Sequence, residues 1–210
     1  MSALLYGLDL GGTAVFAVSG ALVASRKEMD PVGFGLLATV TGIGGGTLRD
    51  VLLNRPPAWI AAPEYILLCL LVAALLFFIA PHIQRRYPVL LWADAAGLAL
   101  FAVLGTEIAR AAGVGPVVAV MMGMMTATFG GLIRDVISNE IPLILRKEIY
   151  VTAAALGALM YWLLQSLGCA PVWAGLAGFA AGFGLRALGL LLGWSLPAYH
   201  SRPGRDYPLE

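Results

Sequence analysis

Apolar stretches long enough to form membrane-crossing helices recur along this chain, separated by short connections that are polar or rich in proline. Seven can be counted, at about 5–24, 32–53, 65–80, 89–110, 116–138, 149–167 and 171–193. A helix of roughly 20 apolar residues crosses a hydrocarbon core about 30 Å thick. The stretches lack the period-2 alternation that is typical of transmembrane strands. The pattern therefore predicts an all-α integral membrane protein with seven transmembrane helices.

Composition supports this class and narrows the functions that fit it. The chain is 60% hydrophobic and only 12% charged, and its mean hydropathy is +0.87. A net charge of +1 gives no reason to expect a nucleic-acid partner. The first stretch has no basic residues before it and contains Asp9, so we do not expect a cleavable signal peptide. With no nucleophile–base set, phosphate-binding loop or metal-ligand spacing in the sequence, we expect neither an enzyme nor a cofactor.

An internal repeat has a fixed offset of 85 residues. Between residues 9 and 65, 19 of 57 positions are identical to the residue 85 positions later. The identical pairs include Asp9 and Asp94, Thr41 and Thr126, Gly45-Gly46 and Gly130-Gly131, Arg49-Asp50 and Arg134-Asp135, Asn54 and Asn139, and Tyr65 and Tyr150. Chance similarity between apolar helices does not easily supply charged residues and Asn at one offset. Each copy holds three spans, so the copies must face opposite ways.

The repeat gives the expected organisation of the chain. Residues 1–210 form a single membrane domain, because no linker is long enough to separate two. Its parts are repeat 1 at about 5–80, repeat 2 at about 89–167, a seventh helix at about 171–193 and a polar tail at 195–210.

Basic residues in the connections predict the orientation, because loops rich in Lys and Arg stay in the cytoplasm. With the N-terminus outside, the outer side keeps only Arg55 and Arg110. The inner side collects Arg26, Lys27, Arg85, Arg86, Arg146, Lys147, Arg202 and Arg205. We therefore expect the N-terminus outside and the C-terminus in the cytoplasm.

Glycines interrupt the second and fifth spans at matching positions. Gly44, Gly45 and Gly46 form a triplet in the second span, and Gly130 and Gly131 form a pair in the fifth. A glycine inside a helix costs about 1 kcal/mol relative to alanine. Paired interruptions in inverted repeats point to a permeation or binding site, so we expect helices 2 and 5 to be broken there. The alternative is close helix packing, which small residues permit.

Charged residues follow both glycine motifs, at about the same depth from opposite faces of the membrane. A charge there is costly unless it is paired or hydrated. Neighbouring helix positions do not face each other, so Asp50 is a poor partner for Arg49. We predict instead the pairs Arg49–Asp9 and Arg134–Asp94, which leave Asp50 and Asp135 free to attract cations. The alternative is that all these side chains extend to the membrane–water interface, where their charged ends stay hydrated.

Four threonines lie beside the glycine motifs and complete the candidate ion path: Thr41, Thr47, Thr126 and Thr128. Their hydroxyls could bind a dehydrating ion. Hydrogen bonding to the carbonyl of the same helix is the commoner explanation for a threonine in a membrane helix.

The doubled motif resembles that of a known family. Gly44-Gly-Gly-Thr-Leu-Arg-Asp50 and Gly130-Gly-Leu-Ile-Arg-Asp135 are similar to the motifs of small bacterial membrane proteins labelled "glycine transporter domain", which are related in fold to trimeric intracellular cation (TRIC) channels. The resemblance implies a homotrimer in the bacterial inner membrane, surrounded by lipid, with one pore per protomer for monovalent cations such as K⁺ and Na⁺. It also implies that the two glycine motifs and the Arg-Asp pairs line the pore. Phe129 stands where the second motif would have its first glycine, so a smaller kink is expected there.

Three functions remain open on the sequence. A passive cation channel is the first, and a secondary transporter of a small amino acid such as glycine is the second, since inverted repeats serve both. A non-conducting membrane scaffold is the third.

Overall fold

The computed structural model describes residues 3–83, 85–146 and 148–197. The predicted polar tail lies outside this part of the chain from residue 198 onward, as do Lys147, Arg202 and Arg205, on which part of the predicted orientation rests.

Within the described residues, seven long helices account for the seven predicted spans. They are α1 Ala3–Arg26, α2 Pro31–Leu52, α3 Glu64–Ile79, α4 Arg86–Ala111, α5 Pro116–Ile137, α6 Val151–Ser166 and α7 Pro171–Leu192. Six are long and apolar enough to cross a membrane, and α6 is a shorter apolar helix of 16 residues. A one-turn helix, Ala58–Ala61, follows α2, and 3₁₀ turns at Ala80–His82 and Leu143–Leu145 follow α3 and α5. The all-α prediction is confirmed.

Local sequence signals set the ends of α2 and α5. Pro31 and Pro116 occupy the first helical positions, where a missing N–H costs nothing. Asp30 caps α2, because its carboxylate accepts a hydrogen bond of 2.7 Å from the backbone N–H of Gly33. Two residues after each helix an asparagine adopts the left-handed conformation, Asn54 after α2 and Asn139 after α5, each with φ of 52°. Asparagine tolerates that conformation better than most residues, which explains its repetition at the 85-residue offset.

Helices α1 and α4 cross at the centre of the molecule through matching residues. The rings of Phe16 and Phe101 have their centroids 5.2 Å apart. Gly12 and Gly97 make room for them: a Cβ at Gly12 would lie 3.0 Å from the ring of Phe101, and a Cβ at Gly97 would overlap the ring of Phe16. The two repeats are thus related across this crossing, as an inverted 3 + 3 arrangement requires.

The predicted breaks in helices 2 and 5 are wrong, because α2 and α5 are each continuous through their glycine motifs. The glycines instead bring the two helices into backbone contact. A Cβ on Gly45 would overlap the carbonyl oxygen of Thr126, and a Cβ on Gly130 would overlap the carbonyl oxygen of Thr41. These contacts exchange under the 85-residue offset, so the crossing of α2 and α5 lies on the axis that relates the repeats. Close packing, the alternative for these motifs, explains Gly45 and Gly130.

Helices α3 and α7 lie at the periphery and present apolar side chains outward. Large exposed residues include Leu67, Leu71 and Phe78 on α3 and Trp173, Leu176 and Leu191 on α7. Helix α7 is anchored through small residues, because a Cβ on Gly178 would lie 2.9 Å from the carbonyl oxygen of Gly157 on α6. An apolar outer surface on apolar helices of this length is that of a multi-pass membrane protein.

The crossing of α2 and α5 predicts a large difference between two neighbouring glycines. Gly45→Ala should destabilise the protein by about 1–3 kcal/mol, because the new methyl group meets backbone that cannot move aside cheaply. Gly46→Ala is the matched control, since its Cβ would lie 3.7 Å from the nearest atom, Arg49 Nη2. Thermal unfolding of the purified variants in detergent measures the difference. Equal stability of the two variants would contradict the packing role of Gly45.

Candidate functional site

The Arg-Asp motif of the first repeat forms a closed set of hydrogen bonds at the end of α2. Arg49 and Asp50 are both buried. Arg49 Nε and Nη2 each lie 2.9 Å from Asp50 Oδ1. The other carboxylate oxygen, Oδ2, accepts a hydrogen bond of 3.2 Å from the backbone N–H of Ala58. Asp50 therefore ties the arginine to the first residue of the one-turn helix.

The second repeat makes the same set of contacts at the end of α5. Arg134 Nε donates to Asp135 Oδ1 at 2.8 Å, and Asp135 Oδ2 accepts from the backbone N–H of Leu143 at 3.0 Å. Leu143 is 85 residues after Ala58 and opens the 3₁₀ turn. The expectation that Asp50 and Asp135 are poor partners for the adjacent arginines is wrong. An arginine side chain is long enough to fold back onto the next residue, even though the Cβ atoms point apart.

The two repeats differ in the partner of the aspartate on the preceding helix. Arg134 Nη1 donates to Asp94 Oδ1 at 2.7 Å and also bonds the hydroxyl of Ser19. The contact expected between Arg134 and Asp94 is therefore present. Asp9 is bonded instead by the hydroxyl of Tyr65, at 2.7 Å from Oδ2.

The predicted pair Arg49–Asp9 is wrong, since the described residues contain no ion pair between these two side chains. Tyr65 provides the reason, because its hydroxyl satisfies the carboxylate that the arginine would otherwise bind. Arg49 Nη1 is left buried with no hydrogen-bond partner among the described residues. All four charged side chains, Asp9, Arg49, Asp94 and Arg134, are at most 4% exposed, so none of them reaches the interface.

A small cavity lies on the Asp9 side of the α2–α5 crossing. Its volume is about 20 Å³, which is enough for one water molecule. Its lining includes Asp9, Thr13, Gly42, Gly46, Thr47 and Arg49. Trp59 from the one-turn helix also lines the cavity, and its Nε1 donates to Thr47 Oγ1 at 3.0 Å. A buried cation, a buried carboxylate and a hydroxyl thus surround a space in which water can bind.

The matching positions of the second repeat are filled by larger or more apolar residues. Leu98 stands in place of Thr13, Ala127 in place of Gly42, and Leu132 in place of Thr47. Arg134 and Asp94 are also in direct contact there, so this half, called the packed half below, has apolar side chains where the first repeat has the small and polar lining of the cavity.

All four threonines of the predicted path donate to the carbonyl four residues earlier in their own helix, at 2.5–2.9 Å. Thr41 and Thr126 pack into the helix interfaces, because Cβ atoms on Gly20 and Gly105 would each lie 2.6 Å from their hydroxyl oxygens. Thr128 is also buried. Among the four, Thr47 lines the cavity.

The glycines of the two motifs also have separate surroundings. Gly44 faces α5, because a Cβ on Gly44 would lie 3.1 Å from Cδ1 of Ile133. Gly46 lines the cavity, whereas Gly131 lies beside Asp94 and Tyr150. The structure therefore gathers Gly46, Thr47, Arg49 and Asp9 around the cavity, and Gly131, Arg134, Asp135 and Asp94 in the packed half.

Sequence reasoning missed several residues that complete these sets. Tyr65 and Tyr150 are identical at the 85-residue offset, but the offset alone does not reveal that they lie beside Asp9 and Asp94. Trp59 and Ser19 carry no sequence signal of this kind. Arg186 on α7 did carry one: a single charge in an apolar span is costly unless it has a partner. It is 1% exposed and donates to Glu148 Oε2 at 2.9 Å.

Comparisons with known proteins agree with this architecture. A family described as "Glycine transporter" matches residues 6–81 and 91–166, which correspond to the two repeats. The UPF0126 inner membrane protein YadS of Escherichia coli K12 is 44% identical over 161 residues, covering 75% of this chain and 77% of that protein.

Solved structures of TRIC channels share the fold. The TRIC trimeric intracellular cation channel orthologue from Rhodobacter sphaeroides is 53% identical, with a TM-score of 0.90 over 92% of this chain and 100% of that chain. A second structure, reported for conductance through TRIC cation channels, is 33% identical, with a TM-score of 0.84 over 94% of this chain and 98% of that chain. These neighbours are ion channels rather than enzymes. The family described as "Glycine transporter" matches both repeats, and the TRIC channels share the arrangement of helices. The chain therefore belongs to the TRIC family of membrane proteins, to which the name "Glycine transporter" also refers.

Proposed function

We propose that this protein is a cation channel that conducts monovalent ions such as K⁺ and Na⁺ through one pore in each protomer of a homotrimer. The pore runs past the crossing of α2 and α5, in a single membrane domain made of both repeats and α7. The observation that carries the proposal is the pair of buried Arg-Asp sites on the two sides of this crossing, one next to a water-sized cavity and the other packed shut. Buried ionisable groups in a membrane domain mark ion or substrate pathways.

The state of the two halves supports a closed channel. On the Asp9 side, the unpaired Arg49 Nη1 and the carboxylate of Asp9 face a space that can hold water. On the Asp94 side, Arg134 bridges Asp94 on α4, Asp135 on α5 and Ser19 on α1. Because one buried side chain joins three helices there, we assign the closed gate to the Arg134 cluster.

The neighbours support the cation and the trimer. The Rhodobacter sphaeroides protein is described as a trimeric cation channel, and this chain matches its whole length. Lipid would surround the trimer at the exposed apolar faces of α3 and α7.

Location and orientation belong to the same proposal. The Escherichia coli relative is named an inner membrane protein, and we place this chain in the bacterial inner membrane as well. The excess of arginine and lysine on one side supports a cytoplasmic location for that side, with the N-terminus outside. On that side Glu140 pairs with Arg26 at 3.3 Å and with Lys27 at 3.6 Å, which joins the connection after α1 to the connection after α5.

A secondary transporter for glycine is the second candidate, because the family is described by that name. Two observations count against it. Transporters with inverted repeats bind their substrate at the ends of discontinuous helices, whereas α2 and α5 are continuous. The cavity next to the crossing also has room for one water molecule rather than for an amino acid.

Recording from single purified trimers in planar bilayers tests the channel directly. We expect unitary K⁺ currents with up to three equally spaced levels, since each protomer contributes one pore. Uptake of labelled glycine into vesicles that depends on an ion gradient, without unitary currents, would favour the transporter and contradict the channel. The absence of both activities would leave a non-conducting scaffold.

A neutral substitution at the proposed gate should open the channel more often. Asp94→Asn removes one carboxylate from Arg134 but leaves Asp135 and Ser19 in place, so we expect the ratio of open to closed time to rise at least about tenfold, in line with the cost of breaking a buried charge pair. Asp9→Asn is the matched control, because it removes the same charge where no arginine is bonded. The measurement is the open probability at fixed voltage. An open probability in Asp94→Asn no higher than in Asp9→Asn would show that the Arg134 cluster is not the gate.

A further inference from the structure

A basic pocket lies on the side of the molecule that carries the excess of arginine and lysine, and it shares no residue with the two Arg-Asp sites. It is open, has a volume of about 450 Å³, and is formed by the end of α1, the turn after α3 and the beginning of α4. Three arginines, a tyrosine and three apolar residues line it: Arg26, Arg85, Arg86, Tyr87, Pro81, Ile83 and Pro88. Among the described residues, no carboxylate lines it. A pocket of this volume has room for a small ligand, and its lining favours an anion.

The charges of Arg85 and Arg86 are not compensated by the protein. Arg85 is exposed, and its guanidinium makes no ion pair or hydrogen bond with any described residue. Arg86 is bonded to the backbone, because its Nε donates to the carbonyl of Ala80 at 2.9 Å and its Nη1 to the carbonyl of Ser25 at 3.4 Å. Carbonyl groups carry no net charge, so these bonds fix the position of Arg86 and leave its positive charge in the pocket.

Arg26 is held at the pocket by an aromatic ring and shares its one carboxylate. Its guanidinium carbon lies 4.7 Å from the centre of the Tyr87 ring, a cation–π distance. Glu140 pairs with Arg26 at 3.3 Å and also with Lys27 at 3.6 Å, so a single carboxylate serves two cations. Arg146 adds a further cation beside the pocket, since its Nη1 donates to the Tyr87 hydroxyl. The pocket therefore keeps an excess of positive charge.

The surroundings of the pocket are those of a membrane boundary. Ile79, the last residue of α3, lies just before the lining residues along the chain and is exposed. Val89 and Trp92, in the first two turns of α4, come just after them and are exposed as well. Apolar chains can therefore lie against the protein close to the arginines. The orientation of the protein explains cations on this side, but it does not require three arginines around one pocket.

We propose that this pocket binds the phosphate group of an anionic phospholipid from the leaflet on this side of the membrane. Arg85 and Arg26 donate to the phosphate oxygens, because the planar guanidinium group matches phosphate geometry. Arg86 adds its charge from a fixed position, and the acyl chains lie along the exposed apolar residues of α3 and α4. Basic pockets between transmembrane helices on the cytoplasmic side bind acidic lipid headgroups in this way. The inference goes beyond the proposed function, since it does not depend on ion flux.

Lipid binding to the purified full chain in detergent tests the proposal. The probe is dioleoyl phosphatidylglycerol, and native mass spectrometry gives the fraction of protein that carries it. Arg85→Gln should weaken binding about fivefold, the effect of one basic residue close to an anionic lipid surface. Arg55→Gln is the matched control, because it removes the same charge from an exposed arginine outside the pocket and should leave the affinity unchanged.

A second variant adds the opposite charge to the pocket. Pro88→Glu places a carboxylate in the lining at the first turn of α4, where an acidic residue is favourable for the helix. Binding of phosphatidylglycerol should fall at least as far as in Arg85→Gln. Should Arg85→Gln fail to assemble, Pro88→Glu takes its place with the same criteria.

Three results would overturn the proposal. The first is that Arg85→Gln binds phosphatidylglycerol as tightly as the unaltered protein, or that Arg55→Gln weakens binding equally. The second is that dioleoyl phosphatidylcholine, whose choline group offsets the phosphate charge, binds as tightly as phosphatidylglycerol. The third concerns glycerol 3-phosphate, which has the phosphate but no acyl chains. If it displaces the lipid at the lipid's own concentration, the pocket is a site for a soluble phosphate ester instead.

Discussion

The backbone contact between α2 and α5 is the constraint on which the rest of the structure depends. Gly45 faces the carbonyl of Thr126, Gly130 faces the carbonyl of Thr41, and neither position has room for a side chain. Because each contact is the image of the other, the two repeats must meet here with opposite directions. The equivalent contacts of Phe16 with Gly97 and of Phe101 with Gly12 fix α1 and α4 in the same way. These crossings hold the four helices that carry the buried charges of the two Arg-Asp sites.

Inverted symmetry gives one Arg-Asp site on each side of the crossing, but the two sites have different surroundings. The local bonds within each site are the same, with arginine on the adjacent aspartate and that aspartate on the backbone of the following short helix or turn. The differences lie around them. Thr13 and Thr47 leave a water-sized space on one side, whereas Leu98 and Leu132 stand in the matching places. Helix α7 adds Arg186 to one half only, against Tyr150.

Much of this fold could be predicted from residue pattern alone. Each helix end lies within three residues of its predicted place, because membrane thickness, prolines and terminal asparagines mark the ends in the sequence. The repeat was visible at one offset, so the relation between Asp94 and Arg134 could be expected from depth. The same reasoning failed for Asp9 and Arg49, since depth does not reveal that a tyrosine from a third helix takes the carboxylate. It also failed for the glycine motifs. A glycine run that breaks a helix and one that lets two helices come into contact look alike in the sequence.

Access to the two halves from water tests the central claim most directly. Thr47 and Leu132 occupy matching positions in the repeats, so Thr47→Cys and Leu132→Cys can be compared in a chain in which Cys69 and Cys169 are replaced by serine. Ag⁺, a monovalent cation close to K⁺ in size that binds thiols, should react rapidly with Thr47→Cys from the outer side, because that residue lines the cavity. The same reagent applied to the inner side should modify Leu132→Cys far more slowly, because the Arg134 cluster closes that half. Equal rates at the two positions, or faster reaction at Leu132→Cys, would contradict the account.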